Sequence, residues 1–276
     1  MLRKSSVDTI NKLLGGYYER LPTAIFGDPQ SGKSLFLLQE AHYMGVEYGG
    51  TPIFIDTEGG ADTMYEKWKL RFDDRFGKGN VLIKDLRRLP DLLNYLGYKV
   101  KLTYSEGGQV GLAVKDVMET PPLLKDVQQL ESPVVIIDSL SKPLKAYFAG
   151  DRRNFPARSY AINYITTTLT NIAIEHNIPI ITTHHASRDP ANPYKKPGLY
   201  GGTSLRYEFK IVLYIQRRSH PSLEKVRDIF LVRFFDVEDW KTKESMVLTD
   251  RGFEYIDQDG IRKLMKGKKN GGGEVE

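Results

Sequence analysis

Eight residues, Gly27-Asp28-Pro29-Gln30-Ser31-Gly32-Lys33-Ser34, have the types and spacing of a loop that grips phosphate. Gly27 and Gly32 let the backbone turn tightly enough for successive N–H groups to aim at one anion. Lys33 carries a cation that can reach β- and γ-phosphates, and the Ser34 hydroxyl can ligate Mg²⁺. Leu35, the next residue, belongs with them as part of the same phosphate-binding run. Such a loop works only where a strand feeds a helix. Thr23-Ala24-Ile25-Phe26 before it reads as a strand, and Leu35 to Ala41 after it as a helix whose N-terminus adds partial positive charge. The pattern predicts a chain that binds a nucleoside triphosphate, ATP with Mg²⁺.

Two further strand ends carry acids. Pro52-Ile53-Phe54-Ile55-Asp56 reads as a buried parallel strand that runs into Thr57-Glu58-Gly59-Gly60. Glu58 then lies where α/β sheets place their ligand sites. It reads equally as a carboxylate that polarises an attacking water and as a solvated cap for the helix near Ala61 to Arg71. Val134-Val135-Ile136-Ile137-Asp138 is an apolar run ending in an acid, the Walker B pattern, with Asp138 set to hold Mg²⁺ through water.

The chain has 276 residues, 40% of them hydrophobic, enough for one substantial core. It has no cysteine, which excludes a disulfide framework and thiolate metal sites and suits a cytoplasmic protein. No apolar run is long enough to span a bilayer, and Met1-Leu2-Arg3-Lys4 opens no signal-peptide core, so no membrane partner is expected. The net charge of +5 permits a polyanionic partner without demanding one.

Along the chain, Ile10, Leu13 and Leu14 mark a helical turn ended by Gly15-Gly16. Residues 98–104 and 110–114 alternate on either side of Ser105-Glu106-Gly107-Gly108, predicting a β-hairpin that the surrounding core does not need. Pro121-Pro122 marks a return loop. Within Tyr147 to Arg158, Phe148 to Pro156 reads as a loop rich in arginine and aromatic residues, followed by a helix with Ile162, Ile165, Leu169 and Ile172 on its core face and Asn177 as C-cap. Ile178 to Thr183 is a buried strand delivering His184-His185, and residues 186–202 form a long polar segment. Later runs around 209–215, 229–235, 246–249 and 253–256 read as strands. The stretch 261–276, basic and glycine-rich, is expected to be an unfolded tail after a single domain spanning 1–260.

The order of P-loop, Ile-Asp-Thr-Glu-Gly, apolar strand to Asp-Ser, arginine-bearing loop, helix, strand ending in a polar pair and long loop with Gly-Gly resembles the RecA/RadA recombinase core. Asp8 to Gly16 is similar to that family's lead-in, and Ala157-Arg158-Ser159 resembles the start of its helix after Walker B. Leu248 to Phe253 resembles the C-terminus of the single-domain archaeal RadB paralogues. The likeness spans most of residues 5–257 and excludes the hairpin. It implies an α/β fold, a RecA-like P-loop ATPase core whose mostly parallel central sheet is flanked by helices. It also implies that Glu58 is the catalytic glutamate, beside Lys33, and that His185 stands where the family senses the γ-phosphate with glutamine. Residues 149–156 and 186–202 match its two DNA-binding loops. The N-terminal domain and Phe-x-x-Ala segment that precede the RadA core find no counterpart, so assembly through that contact is not expected.

Arg152, Arg153, Arg158, Arg188, Lys195 and Lys196 are therefore the candidate DNA contacts, with Phe155, Tyr194 and Tyr200 as stacking faces for a single strand. Lys225, Arg227 and Arg233 are candidates for a finger reaching a neighbouring subunit's phosphates in a homo-oligomer. The expected activity is that of an ATP-hydrolysing DNA-binding protein of recombination and repair, RadB-like, acting as an annealing or mediator factor with a recombinase or replication partner. Two alternatives share the core: a hexameric helicase motor, and an ATP-binding assembly module that does not touch DNA.

Overall fold

The computed structural model describes residues 1–106, 108–148, 151–189, 191–192, 194–200, 205 and 208–267. β1 (Leu2–Arg3) and β2 (Tyr17–Tyr18) pair across α1 (Asp8–Leu14). Strands and helices then alternate: β3 (Thr23–Gly27), α2 (Lys33–Tyr48), β4 (Ile53–Asp56), α3 (Ala61–Phe76), β5 (Leu82–Asp85) and α4 (Leu89–Tyr95). The hairpin of β6 (Tyr98–Tyr104) and β7 (Val110–Val117) follows, then α5 (Pro122–Gln129), β8 (Val135–Asp138), α6 (Ser141–Phe148), α7 (Phe155–His176) and β9 (Ile180–Ser187). The last part holds β10 (Gly198–Leu199), β11 (Ile211–Arg217), β12 (Val226–Phe234), β13 (Val237–Glu238), β14 (Lys243–Thr249), β15 (Gly252–Tyr255) and α8 (Gln258–Gly267).

The central sheet runs β15-β14-β12-β11-β3-β9-β8-β4-β5, with β10 beside β9 and β13 beside β12. Every pairing from β11 to β5 is parallel, and every pairing from β11 to β15 is antiparallel. The parallel strands are continuous apolar runs because both faces are covered. Alternation sends Ile25, Phe54, Ile136 and Ile181 to the face packed by α1, α2 and α3. Ala24, Phe26, Ile53, Ile55, Val135, Ile137 and Ile180 go to the face packed by α4 to α7. Register then aligns the chemistry. Gly27 pairs with His185, and Asp56 pairs with Asp138, so the P-loop, the acids and the histidine pair meet along one sheet edge.

Local signals behave as their chemistry requires in most places. Gly15 closes α1 at φ 79°, and Asn177 closes α7 at φ 52°, the left-handed cap geometry that these residues tolerate. Three stretches differ from expectation. Pro121-Pro122 opens a helix rather than a return loop, since proline suits the first helical turn, and Leu123 and Val127 bury its inner face. The arginine-rich loop is cut short by a 3₁₀ turn at Arg152–Asn154 and by α7, which already begins at Phe155. The start of the expected unfolded tail is the helix α8, anchored by Ile261 against Leu223 and Val226; the rest of that stretch, 268–276, lies outside the described residues.

The hairpin lies against the core rather than projecting freely. Tyr98, Val100, Leu102 and Leu112 pack on it. The Tyr98 hydroxyl accepts from Thr168 Oγ1 at 3.0 Å, and the Val110 N–H donates to Asn154 Oδ1 at 2.8 Å. Replacing residues 99–113 by a short linker is expected to preserve ATP binding, because none of these contacts reaches the P-loop. It should lower the thermal midpoint by several degrees through the uncovered apolar surface. Loss of soluble, nucleotide-binding protein would make the hairpin part of the core.

Candidate nucleotide-binding and catalytic site

The glycine spacing has a packing cause as well as a phosphate one. A Cβ at Gly27 would lie 2.5 Å from the Ile215 carbonyl oxygen of β11, and Gly32 sits at φ +92° with Phe253 only 2.8 Å from where its Cβ would be. The loop is thus held between β11 and β15 with no room for a side chain at either glycine. Lys33 Nζ donates to the Gly27 and Asp28 carbonyls at 3.1 and 3.0 Å and to Ser31 Oγ at 3.3 Å. Burial lowers its pKa, an effect opposed by Asp138, Glu58 and Asp28. A partly desolvated cation beside acids is a strong electrostatic partner for phosphate.

Arg227, read from sequence as a candidate to act in a neighbouring subunit, is committed inside its own chain. Its Nε donates to the Ser31 carbonyl at 2.7 Å and its Nη1 to the carbonyls of Glu224 and Val226 at 2.6 and 3.1 Å. Burial brings its pKa down to about 10, so it stays charged at neutral pH. It buttresses the P-loop from below. Arg233 Nε donates to the Phe235 carbonyl at 2.6 Å and its Nη2 lies 3.5 Å from Asp236, while Lys225 is exposed. Arg227→Ala should weaken ATP binding about ten-fold, the cost of one missing charged hydrogen bond and a stranded carbonyl. Mixing that variant with Lys33→Ala protein should leave the ten-fold weaker ATP dependence of turnover unchanged; a return to wild-type dependence on mixing would give Arg227 a role between subunits.

Asp138, at the end of β8, is fully buried. Burial raises its pKa, while hydroxyl hydrogen bonds from Ser34 and Thr183 oppose the rise. A buried carboxylate and a serine hydroxyl within hydrogen-bond reach are hard oxygen donors of the kind Mg²⁺ takes, and they stand at the P-loop's end. The donor set fits that ion.

Glu58 is set by the residue two before it. Asp56 accepts the N–H groups of Glu58 (2.9 Å), Gly59 (2.7 Å) and Ala61 (2.9 Å), folding the 57–61 turn onto the strand end and capping α3. Thr57 Oγ1 donates to the Ser139 carbonyl at 2.6 Å and accepts the Ser139 N–H at 2.8 Å, which ties this turn to the residue after Asp138. Glu58 Oε1 then accepts from Ser139 Oγ at 2.6 Å and His185 Nε2 at 2.7 Å. The His185 bond is the main reason its pKa falls to about 2; Ser139 adds to that, and burial opposes it. Glu58 is therefore a charged carboxylate directed at the sheet edge, and the helix-cap role open to it on sequence grounds belongs to Asp56.

The adjacent histidines face opposite ways, as strand neighbours must. His184 is buried, 5.4 Å from Phe209 ring to ring, with Nε2 2.9 Å from Thr182 Oγ1. Burial pushes its pKa down to about 3. The unfolded chain takes up a proton near 6.5 and the folded chain resists it. Stability that is full above pH 6.5 is then lost as pH falls toward 3, amounting to roughly 2 kcal/mol at about pH 5. Urea unfolding at about pH 7.5 and about pH 5 should show this loss, and His184→Gln should flatten it. An equally steep fall in the variant would remove His184 from the account.

The six basic residues fall into two groups. Arg152 is exposed, Arg153 is paired with Asp151 at 2.6 Å, and Arg158 lies 4.4 Å above the Phe155 ring with its Nε buried and unpartnered among the described residues. Arg188, Lys195 and Lys196 line a cavity of about 520 Å³ together with Arg233, Phe26 and Trp240. Arg188 reaches Asp28 of the P-loop at 2.5 Å, Lys195 pairs with Asp189 at 3.3 Å, and Lys196 lies 5.2 Å from the Trp240 ring centre. Tyr194 is 96% exposed. Sequence reading missed Asp56, Ser139 and Thr183 as site residues. Asp56 and Ser139 adjoin motif positions and were within its reach; Thr183 and Lys145, which meets His185 below, were visible only once strands and helices were placed.

No family model and no curated protein matches the chain. Its fold is that of a RecA-like recombinase. The chain is similar to the crystal structure of the RadB recombinase, over 93% of this chain and 100% of that one, at 20% sequence identity and a TM-score of 0.60.

Proposed function

We propose that this chain is an ATP-hydrolysing DNA-binding protein of homologous recombination and repair, RadB-like, serving as an annealing or mediator factor. The observation that carries this reading is a double link between the nucleotide edge and the segment after β9. His185 bonds Glu58 and Arg188 bonds Asp28, only a few residues before Lys195 and Lys196. A site built this way can make the position of a basic segment depend on what the P-loop holds.

In this reading the P-loop N–H groups and Lys33 bind the phosphates of ATP. Ser34 and Asp138 would hold Mg²⁺, which supplies neutralisation of the developing phosphate charge. Glu58 orients the attacking water. Arg152, Arg153, Arg158, Lys195 and Lys196 meet the backbone of a single strand, with Phe155, Tyr194 and Tyr200 as faces for bases. Lys225 is the exposed candidate for contact with a second copy, and a recombinase or replication protein in the cytoplasm is the expected partner. Ion pairing of Arg153, Arg188 and Lys195 within the chain favours one competing reading, an ATP-dependent assembly module without DNA. Anisotropy of a labelled single strand, with and without a non-hydrolysable ATP analogue, separates them. Salt-sensitive binding that strengthens with the analogue is expected, and no binding in either state leaves the assembly module. Unwinding of a tailed duplex would instead assign a helicase motor.

A further inference from the structure

Lys145 has no place in the mechanism above, yet it touches the ring that joins the nucleotide edge to the second basic segment. Ser141 and Lys145 stand one turn apart on α6 and so share a face. Ser141 Oγ accepts the His185 backbone N–H at 3.0 Å, and Lys145 Nζ lies 2.9 Å from His185 Nδ1. From the other side, the Tyr200 N–H donates to the His185 carbonyl at 3.1 Å, and the Tyr200 ring lies 4.5 Å from Lys145 Nζ. His185 is thus held by its backbone and by its ring at once.

The ring contact has a chemical consequence. An ammonium group only donates hydrogen bonds, so Nδ1 must accept, and the imidazole proton is left on Nε2. Nε2 is the atom 2.7 Å from Glu58 Oε1, where a donor is needed because the carboxylate only accepts. Ser139 donates to that same oxygen, which leaves Oε2 of Glu58 without a hydrogen-bond partner among the described residues. The two carboxylate oxygens therefore have different tasks.

We propose that Lys145 is a positioning residue for hydrolysis: it fixes His185 as the Nε2–H tautomer, so that the ring clamps Oε1 of Glu58 and leaves Oε2 to receive a proton. This rests on Glu58 acting as the base. The water oxygen forms the new bond to the γ-phosphorus, and the bond to the β,γ-bridging oxygen breaks with its electron pair leaving on ADP. The water proton passes to Oε2. Without Lys145, Nδ1 can carry the proton; bare Nε2 would then face Oε1 lone pair to lone pair, and the carboxylate would turn.

The test uses the full chain labelled with ¹⁵N-histidine, whose two-bond ¹H–¹⁵N correlations identify the tautomer at about pH 8, where free imidazole is neutral. The His185 signals are assigned by their loss in His185→Asn. The wild type should give the Nε2–H pattern, and Lys145→Met should bring in the Nδ1–H pattern. Lys145→Met should also lower kcat about ten-fold, with KM for ATP within about two-fold of the wild type, as for a missing orienting hydrogen bond. Lys145→Arg, which keeps a donor, should restore both. An unchanged His185 pattern in Lys145→Met overturns the proposal, as does a KM that rises in step with the fall in kcat. Lys145→Leu is read in parallel in case the methionine variant does not fold. If the tautomer shifts but Glu58→Gln turns over normally, the hold of Lys145 on the ring is upheld and the base assignment fails.

Discussion

Lys33→Ala is expected to abolish ATP binding at any practical concentration, and Glu58→Gln to keep binding while hydrolysis nearly stops. The lysine ammonium donates to two P-loop carbonyls and one hydroxyl, and phosphate oxygens would replace those acceptors. Two charge-assisted hydrogen bonds at about 1.5–3 kcal/mol each make the loss at least about 10²-fold in affinity. Glu58→Gln keeps the shape and can still accept from Ser139 and His185 through its carbonyl oxygen. It removes the negative charge that, in the proposed reaction, would orient and deprotonate water, for which the expected loss is roughly 10²-fold or more in turnover. Isothermal titration of both variants with ATP, followed by phosphate release, separates the two roles. Undiminished turnover by Glu58→Gln would remove the glutamate from catalysis.

The pKa of Glu58, held at about 2, qualifies what sort of base it is. A carboxylate that weak stays ionised throughout the physiological range, but it has little drive to take a proton. Its basicity would rise most when the hydrogen bond from His185, the main depressing influence, is loosened. In the proposed reaction, the ring on β9 would set the strength of this base. It also explains why Glu58 cannot be judged from its position alone: the same turn between β4 and α3 supplies a cap, and Asp56 fills that role by accepting three N–H groups.

What was legible in the sequence is what local physics dictates. The P-loop needs its glycines, and the buried strands need continuous apolar residues. Asn177 closes a helix because it tolerates the left-handed conformation. Each can be read without knowing the neighbours in space. The sheet order could not be read that way, and with it went every interaction made across strands. Arg227 looks like any exposed basic residue in a strand of mixed sequence. Only the pairing of β12 with β11 and β14 carries it beneath Ser31. Pro121-Pro122 reads as a break because proline punctuates both loops and helix starts, and burial of Leu123 and Val127 decides between them. Lys145 is one of many lysines until α6 is laid against β9.

Single-stranded DNA should bind more tightly with a non-hydrolysable ATP analogue than with ADP, and His185→Ala should erase most of that difference. His185 Nε2–H is donated to Glu58 Oε1 at 2.7 Å. A γ-phosphate oxygen that shares this proton with Glu58 would draw the ring toward itself, and the backbone to which the ring belongs would move with it. That backbone is tied to Ser141 on one side and to Tyr200 on the other, so the displacement passes into the segment that bears Arg188, Lys195 and Lys196. Arg188 adds a second tether through Asp28, within the proposed phosphate-binding loop. A coupling of about 1–3 kcal/mol, the ordinary range for linked sites, gives a roughly 5- to 150-fold affinity ratio between the two nucleotide states. His185→Ala should bring that ratio close to one without changing affinity in the ADP state. Lys195→Ala with Lys196→Ala should behave differently, weakening binding in both states and reducing the salt slope by about 1.4, near 0.7 for each single-strand phosphate that is no longer neutralised. Fluorescence anisotropy across a salt series in each nucleotide state reads both effects. A ratio in His185→Ala equal to that of the wild type would reduce His185 to a local hydrogen-bonding residue, and the coupling would have to run through Arg188 and Asp28 alone.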